Sequence, residues 1–384
     1  MDYFSSDFKL GILGGGQLGK MLLYETRKFD IHTKVMDASN EAPCRIACNE
    51  FINGDLLDFN AVYNFGKKVD VLTIEIENVN IDALEKLENE GVKVYPPTSA
   101  LRIIQNKAKQ KLFYVDNDIP TAPFSRFAYA SEIKDSIEHV SLEFPFVWKS
   151  AQFGYDGQGV KIIRSIEDLN GLPQGECITE DMIPFKNELA VVVARNVNGD
   201  VVTYPVVEME FHPEANQVEY VICPARIDDK VAQKARDTAL KVSNSIKHVG
   251  LLAVEMFQTK EDGILVNEVA PRPHNSGHYS IEASYTNQFE QHIRAILDLP
   301  LGNTDSKVAG IMVNLVGEEG YTGDVVYKNI EDILSLDGVT PHIYGKKETR
   351  PFRKMGHVTI VNEDIEEARK IAQQVKETIK VISK

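Results

Sequence analysis

The sequence is short of cysteine, of long hydrophobic runs and of positive charge, and each shortage removes a class of protein. Its four cysteines, Cys44, Cys48, Cys177 and Cys223, are too few and too irregularly spaced for a disulfide framework or a CxxC-type zinc site, and they read as free thiols in a reducing compartment. No stretch approaches the roughly 18 apolar residues of a membrane-spanning helix. The opening MDYFSSDFKLGILGGG sets acidic residues before its apolar stretch and offers no small-residue cleavage site, unlike a secretory signal. A cytoplasmic protein is the expectation. With 42 Lys+Arg against 57 Asp+Glu the net charge is -15, a field that repels the phosphates of nucleic acids and anionic lipids. Neither is expected as a partner, and any phosphate site has to be a local basic pocket. The Walker pattern GxxxxGK[ST] is absent as well.

What is present is an ordinary globular composition, 43% hydrophobic and 26% charged over 384 residues, long enough for two or three packed domains. Residues 8–13 read as a buried strand, followed by a glycine loop and a helix with Leu18, Met21 and Leu22 on one face. Further strands at 33–36, 69–76 and 92–95 alternate with helices at 59–67 and 81–90, the pattern of a doubly wound parallel sheet. Pro96-Pro97 marks the first boundary. A helix at 106–116 then leads into short strands at 144–150, 160–164, 177–182 and 188–195, which suggest a small α+β lid. Strands at 201–207 and 219–224, a long helix at 229–247, and a hairpin of 251–257 with 264–269 follow, with Asp262-Gly263 as its turn. The C-terminal part is β-rich and ends in an amphipathic helix whose stripe of Ile365, Ala368, Ile371, Ala372, Val375 and Ile379 is core packing.

The chemistry begins with Glu255 and Glu268. For a turn near 261–263, pairing Glu255 or Phe257 opposite Glu268 puts both carboxylates on one face, because side chains alternate with period 2. Carboxylates set together among Leu252, Val254, Phe257, Leu265 and Val266 repel unless protonated or bridged by a cation, and hard oxygen ligands suit Mg2+. The plainer alternative is two edge glutamates facing solvent. Lys149 ends a buried strand before Gly154-Tyr155-Asp156-Gly157-Gln158-Gly159, a loop whose amides can approach phosphate oxygens, or a simple glycine turn. Gly14-Gly15-Gly16-Gln17-Leu18-Gly19, with Asp37 ending the next strand, satisfies the dinucleotide fingerprint and supports a competing reading, an NAD-dependent dehydrogenase. That reading leaves everything after residue 140 unexplained, and such a loop holds any phosphorylated ligand. A proline-stiffened polar run, 270–278, follows the second glutamate strand, and Lys346, Arg350, Arg353, Lys354 and His357 gather late in the chain. In an acidic protein that cluster points to a phosphate site rather than a solvated face.

GGGQLG, EIENV at 75–79, GYDGQG, the Glu255 strand, NEVAPRPHNSGH at 267–278 and RKMGH at 353–357 occur in the order seen in the N5-carboxyaminoimidazole ribonucleotide synthetase family of the ATP-grasp superfamily. The chain resembles that family over essentially its whole length, and NEVAPRPHNSGH is the most specific piece. The resemblance implies an α/β and α+β architecture: a doubly wound domain at 1–97, an ATP-grasp domain at 98–300 with a lid at about 120–185, and a β-rich cap at 301–384. It also implies a cytoplasmic homodimer and a C–N bond-forming ligase of purine biosynthesis. Such a ligase consumes ATP and bicarbonate with Mg2+, forms carboxyphosphate, and carboxylates the exocyclic amine of 5-aminoimidazole ribonucleotide.

Matched residue by residue, the resemblance places Lys107, Lys149, Gly154, Tyr155, Asp156, Gly157, Gln158, Gly159, Glu180, Asp181, Ile183, Glu188, His212, Asn267 and Glu268 at ATP. Glu255 and Glu268 fall on the metal. Gly16, Gln17, Leu18, Glu75, Asn78, His274, Asn275, Ser276, Lys346, Arg350 and Arg353 fall at the ribonucleotide, and Tyr155, Asp156, His274 and Lys346 at the reacting atoms. Three positions depart from the pattern. Lys107 stands where arginine is common, replacing a fork by a point charge. Gln158 stands where relatives carry a cation, and Phe352 where glycine is frequent. Within the same fold, a formate-dependent glycinamide ribonucleotide transformylase and a biotin carboxylase are the alternatives.

Overall fold

The alternating N-terminal region folds as a five-stranded parallel sheet in the computed structural model, which describes residues 2–139, 142–152, 159–212 and 217–384. The strand order is Glu50–Asn53, His32–Asp37, Lys9–Leu13, Val71–Ile74, Lys93–Tyr95, with all pairs parallel. Val71–Ile74 is wholly buried and Lys9–Leu13 nearly so, which is why they read as unbroken apolar runs. Glu50–Asn53 has no such run, since it is a half-exposed edge strand, and hydrophobicity alone missed it. Helices Phe59–Gly66 and Ile81–Asn89 start at Asp58 and Asn80, whose side chains accept from Ala61 N and Ala83 N. Strand order reverses between Lys9–Leu13 and Val71–Ile74, where open sheets of this kind take ligands at their carboxyl ends. The GGGQLG loop and Glu75 sit there.

The segment expected to form the lid is a four-stranded antiparallel sheet in the order Phe124–Phe127, Cys177–Asp181, Phe146–Ser150, Val160–Ile163, while the strand expected with it at 188–195 pairs in the large sheet instead. Phe127, Ile133, Phe146, Trp148, Ile163 and Cys177 form its own small core, with helix Glu132–Glu138 packed on it.

The rest holds a nine-stranded antiparallel sheet and a small three-stranded one in the order Glu348–Thr349, Gly323–Lys328, Lys380–Ser383, and the larger sheet carries the site. Its path runs Ile264–Ala270, Gly250–Thr259, Phe185–Arg195, Val207–Phe211, Val218–Cys223, Ala309–Val316, Lys354–Asn362, Val339–Ile343, and Val201–Thr203 pairs beside Phe185–Arg195. One strand was expected at 201–207. Instead the chain pairs with Phe185–Arg195 twice, at 193–195 and at 188–190, and between them Pro205 has no N–H to give the ladder. Helix Asp229–Ile246 buries Val231, Ala235, Ala239, Val242 and Ile246 on this sheet. The C-terminal helix Ile365–Thr378 buries Ala368, Ala372 and Val375 against Ala309–Val316 and Lys354–Asn362, as its stripe foretold. Among the described residues no helix is long and apolar enough to cross a membrane. All four cysteines are free thiols.

Candidate active site

The hairpin Gly250–Thr259 with Ile264–Ala270 turns at Asp262, which takes a left-handed φ of 59°. From the turn the ladder pairs Gln258 with Ile264, Phe257 with Leu265 and Met256 with Val266. It then slips, so that Glu255 faces Glu268 and Asn267 is the extra residue of a β-bulge. Without the slip Glu255 would face Asn267, and parity would send Glu268 to the opposite side of the sheet. The bulge lets Asn267 and Glu268 each reach a lysine of the same cleft.

Those lysines come from two further elements. Lys107 opens helix Lys107–Asp116, which Asn106 caps by accepting from Lys109 N, and its Nζ lies 2.6 Å from Glu268 Oε2. Lys149, on the lid strand Phe146–Ser150, reaches Asn267 Oδ1 at 2.9 Å and Glu180 Oε1 at 3.0 Å. Glu180, 4% exposed, also receives Lys111 at 3.3 Å, and Lys111 bonds Thr121 Oγ1 at 2.6 Å. Sequence reading missed Lys111. Its one signal was spacing: four residues past Lys107, it shares a helix face with it. Burial pulls the Lys111 ammonium down to about 8 against the opposing pull of Glu180.

The carboxylates divide. Burial, then the facing charges of Glu268 and Glu188, push Glu255 up to about 8. Lys107 does the reverse to Glu268, holding it near 2 although burial opposes it. Glu188, on the neighbouring strand opposite Phe257, is raised to about 7, first by burial, with Lys149 opposing and Glu268 adding to the rise. Burial pulls the Lys107 ammonium down, but the charge and hydrogen bond of Glu268, joined by the charges of Glu180 and Glu255, hold it above its ordinary value. Among the described residues no three His, Cys, Asp or Glu side chains converge to cage an ion. The site offers two opposed carboxylates and leaves the remaining ligands to water and phosphate, the arrangement a hard divalent cation favours.

His274 Nδ1 accepts from Ser276 N at 3.3 Å, so Nε2 is the nitrogen turned to Glu255 Oε1, 3.3 Å away. Asn275 is buried, and its Nδ2 has no partner among the described residues. Arg272 pairs with Glu77 at 2.9 Å, tying this run to the carboxyl end of the parallel sheet.

In the first glycine loop the protein supplies its own anions. Gly15 N donates to Asp37 Oδ2 at 2.7 Å, Gly16 N to Glu75 Oε1 at 2.9 Å and Gly19 N to Glu75 Oε2 at 3.1 Å. The amides and the acidic residue that a dinucleotide would need are thus already engaged, which removes the physical basis of the dehydrogenase reading. A Cβ on Gly16 would lie 2.7 Å from Glu75 Oε1, so a side chain there would displace the carboxylate that Gly16 N binds. Burial raises the Glu75 carboxyl despite its two amide donors. Gln17 and Leu18 lie between those donors at the helix N-terminus, and Asn78 is exposed nearby.

The late basic cluster meets this loop: Lys20, one turn past Gly16, donates to Ile343 O at 3.0 Å. Lys346 donates to Lys354 O at 2.7 Å, Arg353 to Glu348 O at 2.7 Å, and Arg350 is exposed. Lys354 was placed in the cluster without a role, yet its charge lowers Glu255, so it belongs to the cleft. Phe352 has a left-handed φ of 61°, which accounts for the glycine common there, and its ring lies 5.7 Å from that of His212. Asp181 is exposed at the end of a lid strand and Ile183 is half-buried just beyond it. Gly154, Tyr155, Asp156, Gly157 and Gln158 lie outside the described residues, while Gly159 O accepts from Ser150 N at 2.8 Å.

Comparison with known proteins matches all three parts. Residues 8–105 match the ribonucleotide synthetase preATP-grasp domain, 112–289 the ATP-grasp domain, and 310–371 the phosphoribosylaminoimidazole carboxylase C-terminal domain. The N5-carboxyaminoimidazole ribonucleotide synthase of Bacillus subtilis is 38% identical, covering 93% of this chain and 92% of that one. The phosphoribosylaminoimidazole carboxylase of Saccharomyces cerevisiae is 38% identical over 92% of this chain, which spans 63% of that longer protein. Among solved structures, the N5-carboxyaminoimidazole ribonucleotide synthetase of Thermotoga maritima superposes with a TM-score of 0.89 at 42% identity, covering 98% and 100%. The Aspergillus clavatus synthase in complex with ADP and 5-aminoimidazole ribonucleotide gives 0.88 at 33%, covering 97% and 98%.

Proposed function

Because the chain belongs to the N5-carboxyaminoimidazole ribonucleotide synthase family of ATP-grasp ligases, we propose that the cleft between its lid and central sheet joins ATP, bicarbonate and 5-aminoimidazole ribonucleotide. The enzyme carries out the ATP-dependent carboxylation of that ribonucleotide in purine biosynthesis. A bicarbonate oxygen attacks the γ-phosphorus as the bond to ADP breaks. The carboxyphosphate so formed is attacked at its carbon by the exocyclic amine, which loses a proton as phosphate leaves.

The observation that carries this reading is the opposed pair Glu255 and Glu268 with Lys107 and Lys149 reaching in beside it. Glu255 and Glu268 would hold Mg2+, whose charge offsets that of the transferring phosphoryl group. Their electrostatics fit: a carboxylate raised by burial and then by the charges facing it is what a cation relieves. Lys149 and Lys107 bind phosphate oxygens, and Glu180 keeps Lys149 extended from the strand end. Glu188, Asp181, Ile183 and His212 would meet the nucleotide, and the same role is proposed for Tyr155, Asp156 and the rest of the glycine loop from the sequence alone. His274, Asn275 and Ser276 face the reacting end, where the buried Asn275 Nδ2, without a partner among the described residues, can donate to substrate. Gly16, Gln17, Leu18, Asn78, Lys346, Arg350 and Arg353 hold the ribonucleotide, with Glu75 fixing the loop. A cytoplasmic homodimer divided near residues 97 and 300 belongs to the same proposal.

The test is release of ADP and phosphate with bicarbonate and Mg2+, with and without the ribonucleotide. Turnover that requires formate or biotin instead would replace this reading with one of its neighbours in the fold.

A further inference from the structure

We propose that Gln288 is the positioning residue of His274, and that it can act only while His278 is neutral. Gln288 is the first residue of helix Gln288–Ile296 and is fully buried. Its amide holds His274 on both sides: Oε1 accepts from His274 N at 2.9 Å, and Nε2 donates to His274 O at 2.9 Å. A backbone N–H can only donate and a carbonyl can only accept, so these two bonds fix which end of the amide is which. The second hydrogen of Nε2 then points at His278 Nδ1, 2.8 Å away. That nitrogen must accept, so the ring carries its proton on Nε2 and is neutral.

The clamp is rigid. A Cβ on Gly277 would lie 2.4 Å from Gln288 Oε1, so a side chain there would displace the amide that holds His274. Ser280 closes the turn by accepting from Gln288 N at 2.9 Å and donating to Gly277 O at 2.6 Å. Asn287 caps the helix and anchors it to Glu25 of the first domain at 2.8 Å. What the clamp delivers is the backbone of His274, whose ring reaches Glu255.

The groups facing His278 disfavour a second proton. The His357 ring lies 4.7 Å away and stacks in turn on His342 at 4.5 Å, with Tyr344 OH on His357 Nδ1 at 3.1 Å. Burial first, then His274, His342, Lys354 and Arg272, hold His278 well below its ordinary value, and Glu282 is paired with His342 rather than with His278. A proton on Nδ1 would set donor against donor at Gln288 and release His274.

The inference rests on His274 standing at the reacting end of the site, and the tests keep the two apart. Gln288→Leu, folded by circular dichroism, should lower kcat by about tenfold to a hundredfold while the KM for ATP moves less than about twofold, the signature of misplacement rather than lost binding. Gln288→Glu, nearly the same size, should lower kcat to a similar degree, because a carboxylate still accepts from His274 N but sets a second oxygen against His274 O. A folded Gln288→Leu with unchanged kcat, or a folded Gln288→Glu with the kcat of the wild type, would overturn the proposal. Nitrogen-15 NMR of the wild-type imidazoles, with His278 assigned by the signal lost in His278→Asn, judges the clamp without any assay. An unprotonated Nδ1 supports it and a protonated Nδ1 overturns it. Absence of ribonucleotide-dependent phosphate release in the wild type would count against the activity, not against the clamp.

Discussion

Glu255 stands opposite Glu268 because the ladder slips by one residue at Asn267. The two carboxylates are chemically unequal: Lys107 sits on Glu268 at 2.6 Å, while Glu255 faces two other carboxylates and the His274 ring. Their substitutions should therefore differ. Glu255→Gln and Glu268→Gln should each lower turnover by orders of magnitude and weaken Mg2+ binding, measured by the metal concentration for half-maximal rate. Near-normal ATP turnover in either would sink the metal assignment.

Stability without metal separates the pair. Glu255 is raised, so the native state keeps its proton between the ordinary value of 4.5 and about 8 while the unfolded state has lost it. The native state binds more protons in that window, and stability falls as pH rises through it. Glu255→Gln should flatten that part of the metal-free Tm profile. Glu268 is depressed, and its contribution is present above 4.5 and lost as pH falls towards about 2. Glu268→Gln strands the Lys107 ammonium and should lower the metal-free Tm at neutral pH. Parallel Tm profiles for the two variants would contradict this division.

Lys149→Met should raise the KM for ATP by about tenfold to a hundredfold, the loss of a charge-assisted contact worth roughly 1.5 to 3 kcal/mol. The KM for the ribonucleotide should change much less. Lys111 remains to neutralise Glu180, so the fold should survive. Equal weakening of both substrates would make Lys149 a structural lysine.

Much of this site was readable because its signals are local. Strand parity put Glu255 and Glu268 on one face, and the glycine expected at position 352 marked a backbone that is left-handed even with phenylalanine there. The parity argument reached the right face through a register only the bulge supplies, and no residue type announces a bulge at Asn267. Glu75 was read as touching substrate; its carboxylate also accepts from Gly16 N and Gly19 N, contacts spanning 59 and 56 residues that no local pattern reports. Lys111 and Gln288 lie outside any motif, since they act on neighbours brought close by packing alone. The edge strand Glu50–Asn53 escaped for the opposite reason: it buries too little to leave a pattern.

Glu75→Gln offers one acceptor where two amides need one each. Leaving a buried N–H unpaired costs about 1 to 3 kcal/mol, so the variant should melt earlier. The loop that carries Gln17 and Leu18 should loosen, raising the KM for the ribonucleotide and leaving that for ATP unchanged. Titration with NAD should show no binding to wild type or variant. NAD binding by the wild type would restore the dinucleotide reading.

Arg350 should read the phosphate of the ribonucleotide. Arg353 is partly committed to Glu348 O within its own turn, and Gly317 closes that turn by accepting from Phe352 N and donating to Arg353 O. Arg350 is the exposed guanidinium of the turn, in a protein whose net charge of -15 repels phosphate elsewhere. A guanidinium can donate two hydrogen bonds to one phosphate, which a lysine in its place would not. Arg350→Met should raise the KM for the ribonucleotide about tenfold to a hundredfold with little change for ATP. The dephosphorylated nucleoside should be a poor substrate of the normal enzyme and lose little more in the variant, because the arginine then has no partner to lose. Measuring both substrates on both proteins closes a double-mutant cycle. Additive penalties would mean that arginine and phosphate do not meet, and the cluster would be a solvated basic face.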